Sequence, residues 1–404
     1  MASRNIHGVF ADMAAPTRFS PSLVVPRAVT RGLRHHFFGY YDKSPWDATG
    51  RWMLGLEATF MDRPPTEKDQ VTVGLIDTAN GNEWTALAET SAWNWQQGCM
   101  LQWLNGGRED EIIFNVRSDD GLGARILNVK TGRSRTLDRP VYAVNATGTH
   151  AISLNFARLH HQRPGYGYAG ITDPWRHEAA PYDDGLYALN LTTGDSRLIL
   201  SVAAAERLEQ RADFAKKTHR FNHVQFSTNE QRFACLHRAK SPEQEVGDTR
   251  LLTLNLDGSK LNCLSDYGVV SHYDWRGEEA ILAWSRRAGI GDRYFLFPDD
   301  GGPVQTIGEG VLTTDGHCSF SPDGRWVLTD TYPDATQHRT LLLYRWNTGE
   351  RIDIGRFHAP PMEWQIRCDL HPRWSRDGRQ VCIDSIHEGT RQMYVIDVSD
   401  ITGG

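Results

Sequence analysis

Residues 315–330 read "DGHCSFSPDGRWVLTD". An alternating apolar run opens at Phe320, breaks at an S-P-D-G turn and resumes as Trp326–Asp330, and Asp-Gly between alternating runs is a hairpin signal. A histidine, His317, stands three residues before the aromatic that opens the first strand. The arrangement returns in "NHVQFSTNEQRFACL" with His223 before Phe226, in "SHYDWRGEEAILAW" with His272 before Trp275, and in "LHPRWSRDGRQVCID" with His371 before Trp374.

Two kinds of turn alternate along the chain. One is the aromatic-S-x-D-G type, also seen in "KSPWDATGRWML" and "AVNATGTHAISL"; the other follows an alternating run, as in "LYALNLTTGDS", "LLTLNLDGSK" and "LLLYRWNTGER". Each kind occurs seven times. A period of ~40–50 residues with about four strands per unit is the pattern of a β-propeller. The fold expected is therefore all-β, a seven-bladed β-propeller spanning residues 1–404 as one domain, because a blade buries its faces only against its neighbours. The last repeat stops after its third strand near Asp397, so a strand from residues ~20–30, "FSPSLVVPRAV", is predicted to complete the final blade and close the ring. Two stretches do not fit the period: residues 155–185, rich in Gly, Tyr and Arg, and a helix-like segment over 201–221. Both read as insertions over one face.

Composition narrows the function classes. The chain of 404 residues is 39% hydrophobic and 23% charged, with net charge −6, which argues against nucleic acid or an anionic membrane surface as partner. No apolar stretch reaches the ~20 residues of a membrane helix. The N-terminal stretch has no apolar run of signal-peptide length, and the six cysteines show no paired spacing, which together point to a cytoplasmic protein with reduced thiols.

In a propeller the first strand of each blade runs beside the axis, so equivalent positions on successive blades form a ring. His223, His272, His317 and His371 occupy one such position in blades four to seven, and the counterparts in blades one to three fall near Tyr40, Met100 and Val141. Each histidine alone reads as a strand-opening hydrogen-bonding residue; four converging imidazoles offer metal ligation or a general base near neutral pH. Asp315, Gln365 and Asp369 stand close in sequence, whereas strand alternation turns Cys318 away from His317. Early blades add "RHHFFGYYDKSPW" with Tyr40 and Tyr41 and "WNWQQGCMLQW" with Gln97, and Arg158, Arg163, Arg220 and Arg367 are candidates for gripping carboxylates.

The segments "HVQFS", "SHYDW" and "HPRWSRDGRQVCIDSIHEGTRQMYVIDV" resemble blades of the oligogalacturonate lyases, chiefly over residues ~220–400. That resemblance implies a cytoplasmic seven-bladed enzyme that cleaves acidic oligosaccharides by metal-assisted β-elimination, with His223 as base and His272 and His371 as ligands of manganese; zinc or calcium are the alternatives. The stretch "QIRCDLHP" departs from the family by placing Asp369 where one ligand histidine would be. The expected site is then a divalent metal on His272, His317, His371 and Asp369, proton transfer by His223 with Tyr40 or Tyr41, and substrate contacts from Arg158, Arg220, Arg367 and Gln97. Two competing classes are a non-catalytic propeller that binds or scaffolds a partner, and a glycoside hydrolase. The second prefers facing carboxylates, in which the inner-strand positions are poor.

Overall fold

The turns are built by their own side chains. Ser321 N–H donates to the Trp326 carbonyl at 2.8 Å and its hydroxyl to Asp323 at 2.6 Å, while Gly324 takes a left-handed φ of +67°. Ser375, Asp377 and Gly378 repeat this pattern. In the turn at Ser227 a glutamate, Glu230, takes the glycine's place at φ +62°, a conformation that costs a residue with a Cβ roughly 1–2 kcal/mol.

The computed structural model describes residues 17–19, 24–118, 121–208, 211–244 and 247–403. Among them the strands form seven sheets, one per blade, making a seven-bladed β-propeller. The inner strands, in chain order, are His35–Phe37, Gln102–Trp103, Ala143–Val144, Thr218–Phe226, Val270–Arg276, Ser319–Phe320 and Arg373–Trp374. The last blade takes its outer strand from the N-terminal region: Arg27–Ala28 pairs antiparallel with Gln392–Asp397, as the incomplete seventh repeat requires. Residues 20–23 of the predicted closing stretch lie outside the described residues. Thr17–Phe19 adds a strand that the sequence reading did not anticipate, pairing parallel with Arg351–His358 to give the sixth blade five strands. The blade-three insertion carries the helix Phe156–Gln162; of the helix-like segment expected over 201–221 only Val202–Arg207 is a helix, and from Thr218 the chain is already the inner strand of blade four.

Blades adhere through apolar faces. Leu282, Trp284 and Leu296 of blade five pack with Val327, Leu342 and Tyr344 of blade six, and Cys318 is buried in that cluster, turned from the axis as alternation requires. At two of the four repeats the aromatic three positions after the histidine is a tryptophan that ties neighbouring inner strands together. Trp275 donates its indole N–H to the Gln225 carbonyl of blade four at 3.1 Å, and Trp374 donates to the Ser319 carbonyl of blade six at 3.4 Å. Each indole thus ties its own inner strand to the preceding one, two residues past that strand's histidine. Across the Trp374 tie, His317 and His371 lie side by side.

Candidate active site

The histidines project from irregular backbone at the channel mouth. His223 sits in a register shift between Asn222 and Val224, and His272 in another between Val270 and Tyr273. His223 and His371 have positive φ, +45° and +42°, and so does Met100, their counterpart in blade two, at +56°. Strained non-glycine residues repeated at one register position persist only where the surrounding structure holds them, and such strain gathers at functional sites.

Three of the imidazoles pack in a row, and His223 joins them through the rings of Tyr40 and Tyr41. The His272 and His317 ring centroids are 4.1 Å apart and those of His317 and His371 4.5 Å. Tyr40 lies across them, its ring 5.0 Å from His223 and 5.2 Å from His371, and Tyr41 packs 5.4 Å from His223 and 5.3 Å from His317. The Tyr40 segment is anchored from blade seven by Arg373, which donates to the Gly39 carbonyl at 2.6 Å and the Tyr40 carbonyl at 3.2 Å while paired with buried Asp384 at 2.8 Å.

Carboxylates set the tautomers. Nδ1–H of His317 donates to Asp330 at 2.9 Å, and Nδ1–H of His272 to Asp315 at 3.0 Å, so each presents an Nε2 lone pair. His371 Nε2 and both ring nitrogens of His223 are buried without a hydrogen-bond partner. Burial drives His223 and His371 well below the usual imidazole range, reinforced by His272 for the former and His317 for the latter, and both are neutral. His272 is lowered too, by burial that Asp315 partly offsets.

Donor atoms of His317, Asp369 and His371 lie within 4.8 Å of one another, slightly wider than donors ~2.0–2.2 Å from a shared ion would be. Asp369 is held by two guanidiniums, Arg339 at 2.5 Å and Arg367 at 2.8 Å, which keep it ionised far below the ordinary carboxylate range although burial works the other way. One carboxylate-anchored imidazole, His317, a second with a buried unpartnered nitrogen, His371, and an ionised Asp369 form a three-donor set that fits a divalent first-row metal; the expected ligand His272 lies beside His317, ring centroids 4.1 Å apart, but outside that group.

Above Tyr40 opens a cavity of about 290 Å³ lined by Tyr40, Tyr166, Tyr332, Asn222, His272 and Asp315 together with Arg163, Arg220, Arg238 and Arg367. Four guanidiniums against a single lining carboxylate suit an anionic ligand.

Several expected residues take other places. Arg158 is buried and structural: its guanidinium donates to the carbonyls of His219, Trp175, Glu178 and Ala179 and pairs with Asp173 at 3.2 Å, pinning the insertion and leaving nothing for a substrate. Gln97 lies outside the cavity lining and donates to the Tyr142 hydroxyl at 2.9 Å. The Tyr41 hydroxyl donates to the Tyr273 carbonyl at 2.8 Å and accepts from its N–H at 2.9 Å, so it braces the cluster instead of offering a proton. Arg367 reaches the cavity but is engaged by Asp369 and the Trp364 carbonyl. Sequence reasoning missed Arg238, Tyr166, Tyr332 and Asp330. Arg238 was the most findable, since it stands opposite Arg220 in a hairpin whose turn was recognised.

No protein-family model matches the chain, and comparison with curated proteins finds no match. Among solved structures, an oligogalacturonate lyase from Vibrio parahaemolyticus is similar with a TM-score of 0.64 and 12% identity over 92% of this chain and 93% of that one. An oligogalacturonate lyase in complex with manganese gives a TM-score of 0.65 and 15% identity over 92% of each. The propeller domain of the Trilobed protease from Pyrococcus furiosus, described as an open velcro topology, gives 0.50 and 11% over 86% of this chain and 90% of that one. Similarity at this identity establishes the fold, and here the N-terminal strand in blade seven closes it.

Proposed function

We propose that this propeller is a lyase that cleaves uronic-acid-containing oligosaccharides by β-elimination, with His223 as the base. The observation that carries the reading is a neutral, buried imidazole with both nitrogens unpartnered, set among three further histidines and Asp369 beneath an arginine- and tyrosine-lined cavity. The manganese complex of a lyase with a similar fold supports it.

His317 and His371 would hold a divalent metal with Asp369, and a metal bound there would supply Lewis acidity that neutralises the substrate carboxylate and acidifies the adjacent C–H. Burial keeps His223 unprotonated and able to accept that proton. Arg220 lines the cavity as a cation for the acidic saccharide, and Arg367 stabilises the ionised Asp369. Tyr40 lines the cavity with its ring 5.0 Å from His223, which makes it the tyrosine to protonate the leaving oxygen.

The test is product analysis on a panel of uronate oligosaccharides. Wild-type protein should generate the ultraviolet absorbance of an unsaturated uronate and lose it to chelator. His223→Ala should lose it by at least ~1,000-fold while retaining metal by elemental analysis, in keeping with removal of a general base. An active His223→Ala protein refutes the assignment. The burial of His223 beneath Tyr40 favours a second reading, a propeller that binds an acidic ligand without chemistry; retained metal and ligand with no unsaturated product would establish it.

A further inference from the structure

Arg220 and Arg238 stand directly opposite one another on adjacent antiparallel strands of blade four. Like charges at such positions repel, and unoccupied they weaken the sheet. No carboxylate is hydrogen-bonded or ion-paired to either of them among the described residues. Arg220 is 4% exposed, its Nε is buried without a partner, and its guanidinium donates to the neutral amide oxygen of Gln162 at 3.2 Å. Arg238 donates to the Asn222 amide oxygen at 2.9 Å and the Thr249 hydroxyl at 3.0 Å, again neutral acceptors. Arg163, just past the helix Phe156–Gln162, joins them with its guanidinium 4.3 Å from the Trp364 ring. Arg367, the fourth cation of the cavity, is by contrast paired with Asp369.

We propose that Arg163, Arg220 and Arg238 form a second anion-binding subsite on the blade-four wall of the cavity, which takes a further carboxylate or a sulfate ester carried by the same saccharide. It rests on the reading of the cavity as a site for acidic sugars and adds that one negative charge is not enough. In that reading the metal held by the histidines would neutralise the carboxylate of the reacting sugar. Three guanidiniums on the blade-four wall then remain to be matched, and planar guanidinium forks suit carboxylate and sulfate oxygens alike. Burial, with Arg238 and Arg163 nearby, pushes Arg220 down to about 9, so an anion in contact would relieve an electrostatic cost already present in the fold.

Calorimetric titration of the purified protein with galacturonate, digalacturonate, a sulfated monouronate and inorganic sulfate tests this. Digalacturonate or the sulfated monouronate should bind at least tenfold more tightly than galacturonate, and whichever does so identifies the second anion. That ratio should fall to within twofold in Arg238→Gln and in Arg163→Gln; the latter lies at a helix end and keeps the comparison available where the former fails to fold. Equal binding of all uronates, a ratio untouched in the folded variants, or no binding of any probe overturns the subsite. Inorganic sulfate bound in an arginine-dependent way with no uronate binding would uphold the subsite and refute the sugar. Uronate elimination with an unchanged ratio would do the reverse.

Discussion

Asp330 touches nothing in the cavity, yet it decides what His317 can do. Buried and ionised, it accepts from both the backbone N–H and Nδ1–H of His317, which leaves Nε2 as the donor lone pair. Asp330→Asn should reverse that tautomer and lower metal affinity 10–100-fold with little change in melting temperature, measured by competition with a chelating dye. A second pair of histidines works through protonation alone. His219 Nε2–H donates to the Phe214 carbonyl at 3.0 Å, so its Nδ1 must accept from His237 Nε2 at 3.0 Å, and both rings are neutral. Burial lowers His219 to about 4 and His237 well below the usual range. Their folded pKa values lie under the unfolded value, so between about pH 6.5 and 4 the unfolded chain binds more protons and stability is lost as the pH is lowered. His219 alone accounts for about 2 kcal/mol by pH 5. Thermal melts at pH 7 and pH 5 should show the loss, and His237→Phe should reduce it.

At the scale of elements, the insertion of residues 155–185 is organised by one side chain. Arg158 collects its carbonyls and Asp173 and fastens them to the start of the blade-four inner strand through the His219 carbonyl. Arg158→Met keeps the apolar stem but strands several buried acceptors and Asp173, a change worth about 3–5 kcal/mol where a buried ion pair is broken. The insertion carries Arg163 and Tyr166 to the cavity, so the expected outcome is faster proteolysis within 155–185 and a raised KM with a smaller change in kcat. The insertion was legible as a loop over one face because it broke the repeat period. The role of Arg158 was not, because guanidiniums that bind substrate and guanidiniums that bind carbonyls look alike in a string of letters.

For the whole molecule, stability depends on ring closure. Val29, 1% exposed, donates its N–H to the Met393 carbonyl at 2.9 Å just beyond the two-residue strand that completes blade seven. Val29→Asp places a carboxylate in that apolar seam at a cost of ~3 kcal/mol or more and frees the edge of Gln392–Asp397 for pairing with other chains. A lower melting temperature with concentration-dependent oligomers by light scattering is expected, whereas Val29→Ile should melt close to wild type.

The number of blades, the closing strand and the register of the four histidines were determined by the sequence alone, because turn residues repeat at a fixed spacing and a strand's alternation assigns every side chain a face. What each side chain then does was decided by partners far away along the chain. Asp369 is clamped by Arg339, Tyr41 is bound by Tyr273, and Arg220 and Arg238 stand opposed with no acid paired to either among the described residues. Those contacts cross blades or the full width of a hairpin, and hydrogen bonding and charge act through space, where distance in sequence leaves no mark.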